Sequence, residues 1–159
     1  LIEKEGRSLI LALNKWDIEK NKKEKINKLK NKIKLSLPQF GNISFITISA
    51  LRNEGTEKLY SAILDAKKNW QKRFATSKLN KWLEIKTSEY PPPMLKGRRL
   101  RLRYITQIKS RPPNFLIFSS SLDVPKNYRR FLLNNIREQF NLKNIPIRLK
   151  FKVGNNPYV

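Results

Sequence analysis

The sequence predicts an incomplete α/β unit with parallel strands, followed by a compact α+β unit. The first observation is the apolar run from Leu9 to Leu13, which is typical of a parallel strand buried on both faces. The second is a period-two alternation of apolar and basic residues over 99–105, which is typical of a half-buried strand. The third is the length, 159 residues, which suffices for one large domain or two small ones. We place the domains at 1–73 and 74–159.

The first domain reads as strand, helix, strand, helix. A lysine-rich helix over 18–35 follows the Leu9–Leu13 strand, and a second apolar strand covers Ile43–Ile48. Gly55 then introduces a helix whose apolar face ends at Trp70. Because two strands cannot bury two helices and themselves, we expect two adjacent parallel strands with an exposed apolar edge.

The second domain reads as helix, strand, strand, helix, strand. Ser77 is the predicted N-cap of its first helix, and Pro91-Pro92-Pro93 prevents the helix from continuing. The remaining elements are strands over 100–105 and 115–118, a helix over 126–140, and a strand over 146–153. We expect a three-stranded sheet with both helices on one face. Its predicted core consists of Leu79, Leu83, Phe118, Phe131, Leu132, Ile136 and Leu149.

The composition points to a phosphate-bearing partner. The formal charge is +23, and nine of the twelve arginines lie in the second domain. Arginine forks match phosphate groups and base edges, so Arg99, Arg101 and Arg103, on one face of a strand, are the candidate RNA-binding residues. Compositional drift in an AT-rich genome is the competing explanation of the lysines. With no cysteine, no histidine and no long apolar run, we expect no metal centre, no membrane segment and a soluble cytoplasmic protein.

Two polar motifs follow the two predicted strands of the first domain. They are Asn14-Lys15-Trp16-Asp17 and Ser49-Ala50-Leu51. Ligands of open α/β sheets bind at the carboxyl ends of strands. There the Asp17 carboxylate can accept the N1 and N2 hydrogens of guanine, which adenine cannot supply. Asn14 can bond N7 and tie the two loops, the stem of Lys15 can cover the base, and the Ala50 amide can reach O6. Ser49 and Leu51 complete the predicted guanine site.

The first domain thereby resembles the base-recognition half of a translation-factor-type GTPase. The second domain carries further motifs, which are in chain order Leu79-Asn80-Lys81-Trp82-Leu83, Tyr104-Ile105-Thr106-Gln107, Arg111-Pro112-Pro113-Asn114-Phe115, Tyr128-Arg129-Arg130-Phe131-Leu132, Pro146-Ile147-Arg148-Leu149 and Asn156-Pro157-Tyr158. Together they resemble the carboxy-terminal KH-like domain of the Der (EngA) GTPase family. That family carries two consecutive GTPase domains before this domain, so the resemblance implies that the first domain here is the end of the second GTPase domain. The sequence departs from that family at Ser119, where Asn is usual, and at Asn144, where Gly is usual; the family's basic tail is absent.

The resemblance implies the carboxy-terminal portion of a GTP-binding enzyme that assembles the large ribosomal subunit. Its implied ligands are GTP or GDP with Mg²⁺, and its implied partners are ribosomal RNA and the protein's own upstream GTPase domain. The five glycines form neither a phosphate loop nor a Gly-x-x-Gly loop, and no Asp-x-x-Gly occurs. We therefore expect no catalytic residue and no Mg²⁺ ligand in this chain, which alone should not hydrolyse GTP.

A second interpretation stays open at this point: a stand-alone basic RNA-binding module whose nucleotide motif is vestigial. The intact mass of the cellular protein distinguishes the two. Within either interpretation, Trp82, Tyr104 and Phe115 are expected to be core residues rather than base-stacking platforms. The lysines of the first helix are expected to form a solvated face.

Overall fold

The first unit contains a two-stranded parallel sheet, as expected. The computed structural model describes residues 2–37, 43–95, 97–142 and 144–154; the Asn156-Pro157-Tyr158 motif lies outside them. The elements of this unit are α1 (Ile2–Glu5), β1 (Leu11–Leu13), α2 (Lys22–Ser36), β2 (Phe45–Thr47) and α3 (Thr56–Trp70). β1 runs parallel to β2, with Leu11 beside Phe45 and Leu13 beside Thr47. The paired strands are confirmed, although each is shorter than its apolar run.

Much of the apolar surface of this unit is only partly covered. Ala12 in the middle of β1 is exposed. On α3, the side chains of Ile63 and Leu64 are about half exposed, at 48% and 49%. A groove of about 380 Å³ lies beside β1 and α3 and is lined in part by Ile10, Ile63 and Trp70. The apolar surface of this unit is therefore partly exposed, whereas the expected apolar edge for further strands stays a prediction.

The second unit has a three-stranded sheet. Its elements are α4 (Thr76–Glu89), β3 (Met94–Leu95), β4 (Arg98–Arg99), β5 (Leu102–Ser110), β6 (Pro113–Ser119), α5 (Lys126–Gln139) and β7 (Arg148–Val153). The strand order is β5-β6-β7. β5 and β6 are antiparallel, whereas β6 and β7 are parallel because α5 provides the crossover between them. The predicted helix, strand, strand, helix, strand order is present, with the unpredicted β3 and β4 between α4 and β5.

Two local predictions about this unit are wrong. Helix α4 begins at Thr76 with Ala75 at the N-cap position, so Ser77 is inside the helix and caps nothing. The strand predicted over 100–105 begins only at Leu102, and Arg99 belongs to a separate short hairpin of β3 and β4. Arg101 lies between them because its N–H donates to the Ser120 hydroxyl (2.9 Å) rather than to a strand carbonyl.

The core of the second unit lies between the sheet and both helices. Its buried cluster consists of Leu79, Trp82, Leu83, Ile105, Phe115, Ile117, Leu132, Ile136, Phe140, Leu142 and Ile145. Of the predicted core, Phe131 and Leu149 are only half-buried against this cluster. Phe118 is buried but belongs to the other face of β6, since Phe115 and Ile117, which share one face, pack into the cluster and Phe118 follows Ile117 directly. Trp82 and Phe115 are core residues, as expected.

The two units meet at one end of the three-stranded sheet. The indole Nε1 of Trp70 donates to the carbonyl of Gly6 at 2.8 Å. Gly6 has φ +67°, and a Cβ there would lie 2.4 Å from Cγ of Pro112, so only glycine fits this contact. The carbonyl of Asn144 accepts hydrogen bonds from the N–H of Leu9 (3.0 Å) and the hydroxyl of Ser8 (3.1 Å). The start of the first unit is thereby tied to the second.

Candidate functional site

The loops after β1 and β2 lie side by side because main-chain hydrogen bonds continue beyond the strands. The N–H of Ile48 donates to the carbonyl of Leu13 (2.9 Å), and the N–H of Trp16 donates to the carbonyl of Ile48 (3.0 Å). Lys15, just after β1, has φ +60°, which lies in the left-handed region that few residues other than glycine adopt. The two polar motifs are therefore neighbours at the carboxyl edge of the sheet.

Asn14 joins the two loops. Its side-chain oxygen Oδ1 accepts hydrogen bonds from the N–H of Lys15 (2.8 Å) and the N–H of Ala50 (3.0 Å). The predicted tie is present. In this arrangement the Ala50 N–H donates to Asn14, so donation to a base oxygen requires a shared or exchanged hydrogen bond.

Asp17 carries a shielded carboxylate. Its side chain is only 7% exposed, and Oδ2 lies 3.6 Å from Nε of Arg52. A hydrogen bond with the Ser49 side chain is the main cause that lowers the pKa of Asp17 below its usual value, and the charges of Arg52 and Lys22 act in the same direction against the effect of burial. The carboxylate is therefore ionised at neutral pH and acts as a hydrogen-bond acceptor.

Ser49 is held rigidly at the end of β2. It is buried, and its N–H and carbonyl each pair with Glu54 at 3.0 Å. Its hydroxyl oxygen accepts the N–H of Arg52 at 3.3 Å. Gly55 closes this turn with φ +77°, and a Cβ there would lie 2.4 Å from the Thr47 carbonyl oxygen. Sequence reasoning missed Arg52 and Glu54, because a short turn after a strand has no distinctive spacing.

The other predicted residues of this site are more open. Leu51 is 92% exposed, and Lys15 is also exposed. A cavity of about 490 Å³ lies between the end of β1 and helix α2, and its wall includes Asn14, Lys15 and Trp16. Asp17 and the Ser49–Leu51 loop do not line it. The structure thus brings Asn14, Asp17, Ser49 and Ala50 together and leaves Lys15 and Leu51 at the periphery.

A second candidate site is the arginine groove, formed by Arg98, Arg99, Arg101 and Arg103 with Leu95, Leu100, Ser120, Ser121 and Asp123. Its volume is about 880 Å³, and all four arginines are exposed. The β3–β4 hairpin adds Arg98 to Arg99, Arg101 and Arg103, the three arginines that the sequence predicts to bind RNA. Among the residues that the structure describes, no carboxylate lies within ion-pair distance of the four, although Asp123 contributes to the wall.

Neither metal ligands nor membrane segments are found in the described parts of the chain. No group of three or more Asp, Glu, His or Cys side chains could hold a metal ion there. No helix among the described residues is both long and apolar enough to cross a bilayer.

Comparison with known proteins gives a consistent result. The family described as "KH-domain-like of EngA bacterial GTPase enzymes, C-terminal" matches residues 73–152. The GTPase Der of Parvibaculum lavamentivorans is 43% identical over 159 residues, which cover 99% of this chain and 34% of that protein. The GTPase Der of Ruegeria pomeroyi is 42% identical over 161 residues, which cover 99% of this chain and 33% of that protein. The chain spans about a third of the length of these curated relatives.

Fold and comparisons define a mixed α/β chain in which a short parallel sheet precedes a KH-like α+β unit. The chain belongs to the GTPase Der (EngA) family and corresponds to its C-terminal portion, including the KH-like domain.

Proposed function

We propose that this chain supplies guanine recognition and RNA contact to a GTPase that acts in assembly of the large ribosomal subunit in the cytoplasm. One observation carries the proposal for the nucleotide: Asn14, Asp17 and Ser49 meet at two adjacent strand ends, where open α/β sheets bind ligands. The relatives are named as GTPases, which agrees with this assignment.

In the proposed base site, Asp17 is the discriminating group. Its ionised carboxylate would accept the N1 and N2 hydrogens of guanine, while Ser49 keeps its pKa low and its position fixed. An adenine in the same place would offer this shielded carboxylate neither an N1 nor an N2 hydrogen, so the base would lose both hydrogen bonds that guanine makes. Asn14 holds the Ala50 loop against the Asp17 loop, and the stem of Lys15 would cover the base.

The phosphates and Mg²⁺ belong to other residues of the longer protein. The described acidic side chains form no metal-binding group, and the sequence has no phosphate loop. We therefore assign no step of GTP hydrolysis to this chain, and we expect the isolated chain to be inactive.

The arginine groove is the proposed RNA contact of the KH-like domain. It gathers four guanidinium groups, which bind phosphate oxygens in bidentate fashion, together with the side chains of Ser120 and Ser121. It lies at the end of the sheet remote from the first unit, since β6 begins beside the Pro112 contact and ends at Ser119. An RNA bound there would not compete with the contacts between the two units.

A nucleotide competition experiment tests the proposal on the full-length protein. A fluorescent GTP analogue is displaced by GTP, GDP, ATP or XTP, with a phosphate-loop Lys→Ala variant as the matched control for non-specific binding. We expect displacement by GDP and GTP only. Equal displacement by ATP would contradict guanine recognition, and RNA binding would then be the only remaining part of the proposal.

A further inference from the structure

Strand β7 presents a row of basic side chains on one side. Arg148, Lys150 and Lys152 are exposed, whereas Leu149 and Phe151 between them pack against the core cluster. This alternation follows from the period of two along a strand. We call Arg148, Lys150 and Lys152 the β7 basic row.

The β7 basic row lies on the face of the sheet opposite the two helices. Lys150 pairs with Leu116 and Lys152 pairs with Phe118, both from the side of β6 that does not face the core cluster. The ammonium nitrogen of Lys152 is 6.0 Å from the centre of the Phe118 ring, which confirms that the two side chains share a face. The row is therefore clear of the helices.

One end of the row reaches the arginine groove. The N–H of Gly154, just beyond β7, donates to the carbonyl of Ser119 (3.4 Å) at the end of β6. The guanidinium of Arg103, which lines the groove, donates to the carbonyl of Gly154 at 3.5 Å. Arg103 thus connects the groove with the end of β7. The other end, Arg148, pairs with Asn114 near the junction with the first unit.

The acidic residues of the second domain lie outside strand β7. The domain has four: Glu84 and Glu89 on α4, Glu138 on α5, and Asp123 in the wall of the groove. Within the described residues, no carboxylate forms an ion pair with Lys150 or Lys152. Among the described residues, the charges of Lys150 and Lys152 are therefore not neutralised by a paired carboxylate.

We propose that the β7 basic row and the arginine groove form one continuous track for the sugar-phosphate backbone of single-stranded RNA. This inference rests on the proposed RNA contact and extends it across the sheet. Side chains two residues apart on a strand are about 6.6 Å apart, so the row offers a single line of charges. A single line suits one backbone rather than the two of a duplex. Lysine contacts to phosphate carry no sequence information, so binding along β7 should be sequence-tolerant.

Lysines on β7 have a competing explanation. In the described sheet β7 is an edge strand, with β6 as its neighbour, and lysines on edge strands discourage pairing with another chain. This explanation predicts self-association when the charges are removed and no effect on RNA. The two explanations can thus be separated by experiment.

The test uses the 159-residue chain and labelled oligouridylates of about 4 to 16 nucleotides, the range of site sizes of single-strand binders. Lys150→Gln/Lys152→Gln should reduce the magnitude of the log–log salt slope by about 1.4, at about 0.7 per lost phosphate contact on a single strand. It should also lower the RNA length beyond which affinity stops rising. Lys78→Gln/Lys81→Gln, two exposed lysines on α4, makes the same charge change and should alter neither quantity.

Several outcomes are decisive. A Lys150/Lys152 variant that matches the α4 control overturns the track; if replacing the groove arginines still reduces the slope, the proposed RNA contact survives. If neither the Lys150/Lys152 variant nor the replacement of the groove arginines reduces the slope, both the track and the proposed RNA contact are overturned. Tighter binding to duplex RNA than to single strands contradicts the single-strand assignment. Self-association with unchanged RNA binding supports edge protection and overturns the track. If the double variant unfolds on thermal scanning, the single variants Lys150→Gln and Lys152→Gln replace it; each should reduce the slope by about 0.7, and an unchanged slope in both overturns the track.

Discussion

The carboxamide of Asn144 makes two hydrogen bonds with Ser44 across the junction between the units. Its Oδ1 accepts the Ser44 N–H at 2.7 Å, and its Nδ2 donates to the Ser44 hydroxyl at 2.9 Å. Asn144 has φ +60°, a left-handed conformation that asparagine tolerates better than most residues. At this position, where the resemblance leads us to expect glycine, asparagine keeps the left-handed backbone conformation and adds a side-chain contact.

We predict that Asn144→Gly destabilises the chain by about 1–2 kcal/mol, because two side-chain hydrogen bonds are lost while the backbone stays unstrained. Asn144→Ala should cost about 1 kcal/mol more, since alanine disfavours the left-handed region. Urea unfolding measures both. Ser44→Ala, which removes only the bond to the hydroxyl, is the control and should cost the least. Equal stability of the glycine and alanine variants would contradict the conformational argument.

Asp17→Asn in the full-length protein should shift preference from guanine toward xanthine. The amide donates where the carboxylate accepted, and xanthine presents an oxygen in place of the guanine N2 amino group. Competition between GTP and XTP for a fluorescent nucleotide measures the change. Arg52→Gln, which leaves the carboxylate in place, serves as the control and should retain GTP preference. Unchanged preference in the Asp17 variant would remove this residue from the base site.

Ser49→Ala should raise the pKa of Asp17 toward its ordinary value of 3.8, because the main cause of the lowered pKa is removed. A lowered folded-state pKa gives stability that is present above the unfolded-state pKa and is lost as pH falls through the folded-state pKa. In the Ser49→Ala variant, protonation of Asp17 below about pH 4 should therefore lower the free energy of unfolding by less than it does in the unsubstituted chain. Titration of the Asp17 carboxyl carbon by NMR checks the shift, and Glu19, whose low pKa arises mainly from Lys25, is the internal reference.

The sequence predicted the parts of the fold that depend on long periodic patterns. The paired parallel strands, the α+β order and the buried positions of Leu79 and Ile136 follow from apolar periodicity. The β3–β4 hairpin was missed because two-residue strands leave no periodic signal. The tie between Asn14 and Ala50 could be predicted from their positions at strand ends, whereas the Arg52 contact with Asp17 depends on the conformation of a turn.

The loss in free energy of unfolding on replacing an aromatic residue by alanine should depend on how deeply the ring is buried. Phe115 is fully buried, so Phe115→Ala should cost about 3–5 kcal/mol. Phe131, expected in the core, is half-buried and packs at 5.0 Å from the ring of Tyr90 and 5.5 Å from that of Tyr128. Phe131→Ala should therefore cost only about 2 kcal/mol, since less area returns to water. Chemical denaturation of both variants measures the difference, and a reversed order would contradict the helix register of α5.

Binding of the chain to structured ribosomal RNA should be strongly salt-dependent. Four to six phosphate contacts predict a log–log slope of about −3 to −5. Replacing Arg99, Arg101 and Arg103 together by glutamine should reduce its magnitude by about 2 to 3, if each contacts one phosphate. Titrations at several salt concentrations measure the slope. A slope unaffected by the triple substitution would mean that the groove does not hold RNA.

The lysines of α2 provide the matched test of which unit binds RNA. Replacing Lys22, Lys25 and Lys32 by glutamine removes the same charge as the arginine substitution, and all three side chains are exposed. Lys25 already pairs with Glu19 at 3.2 Å, and of the three lysines only Lys25 lines the cavity beside α2, so the three charges do not converge on one phosphate. We therefore expect a smaller change of slope than in the arginine variant. A larger change of slope in the lysine variant would place the RNA-binding face in the first unit. The arginine groove would then be a site for a protein partner.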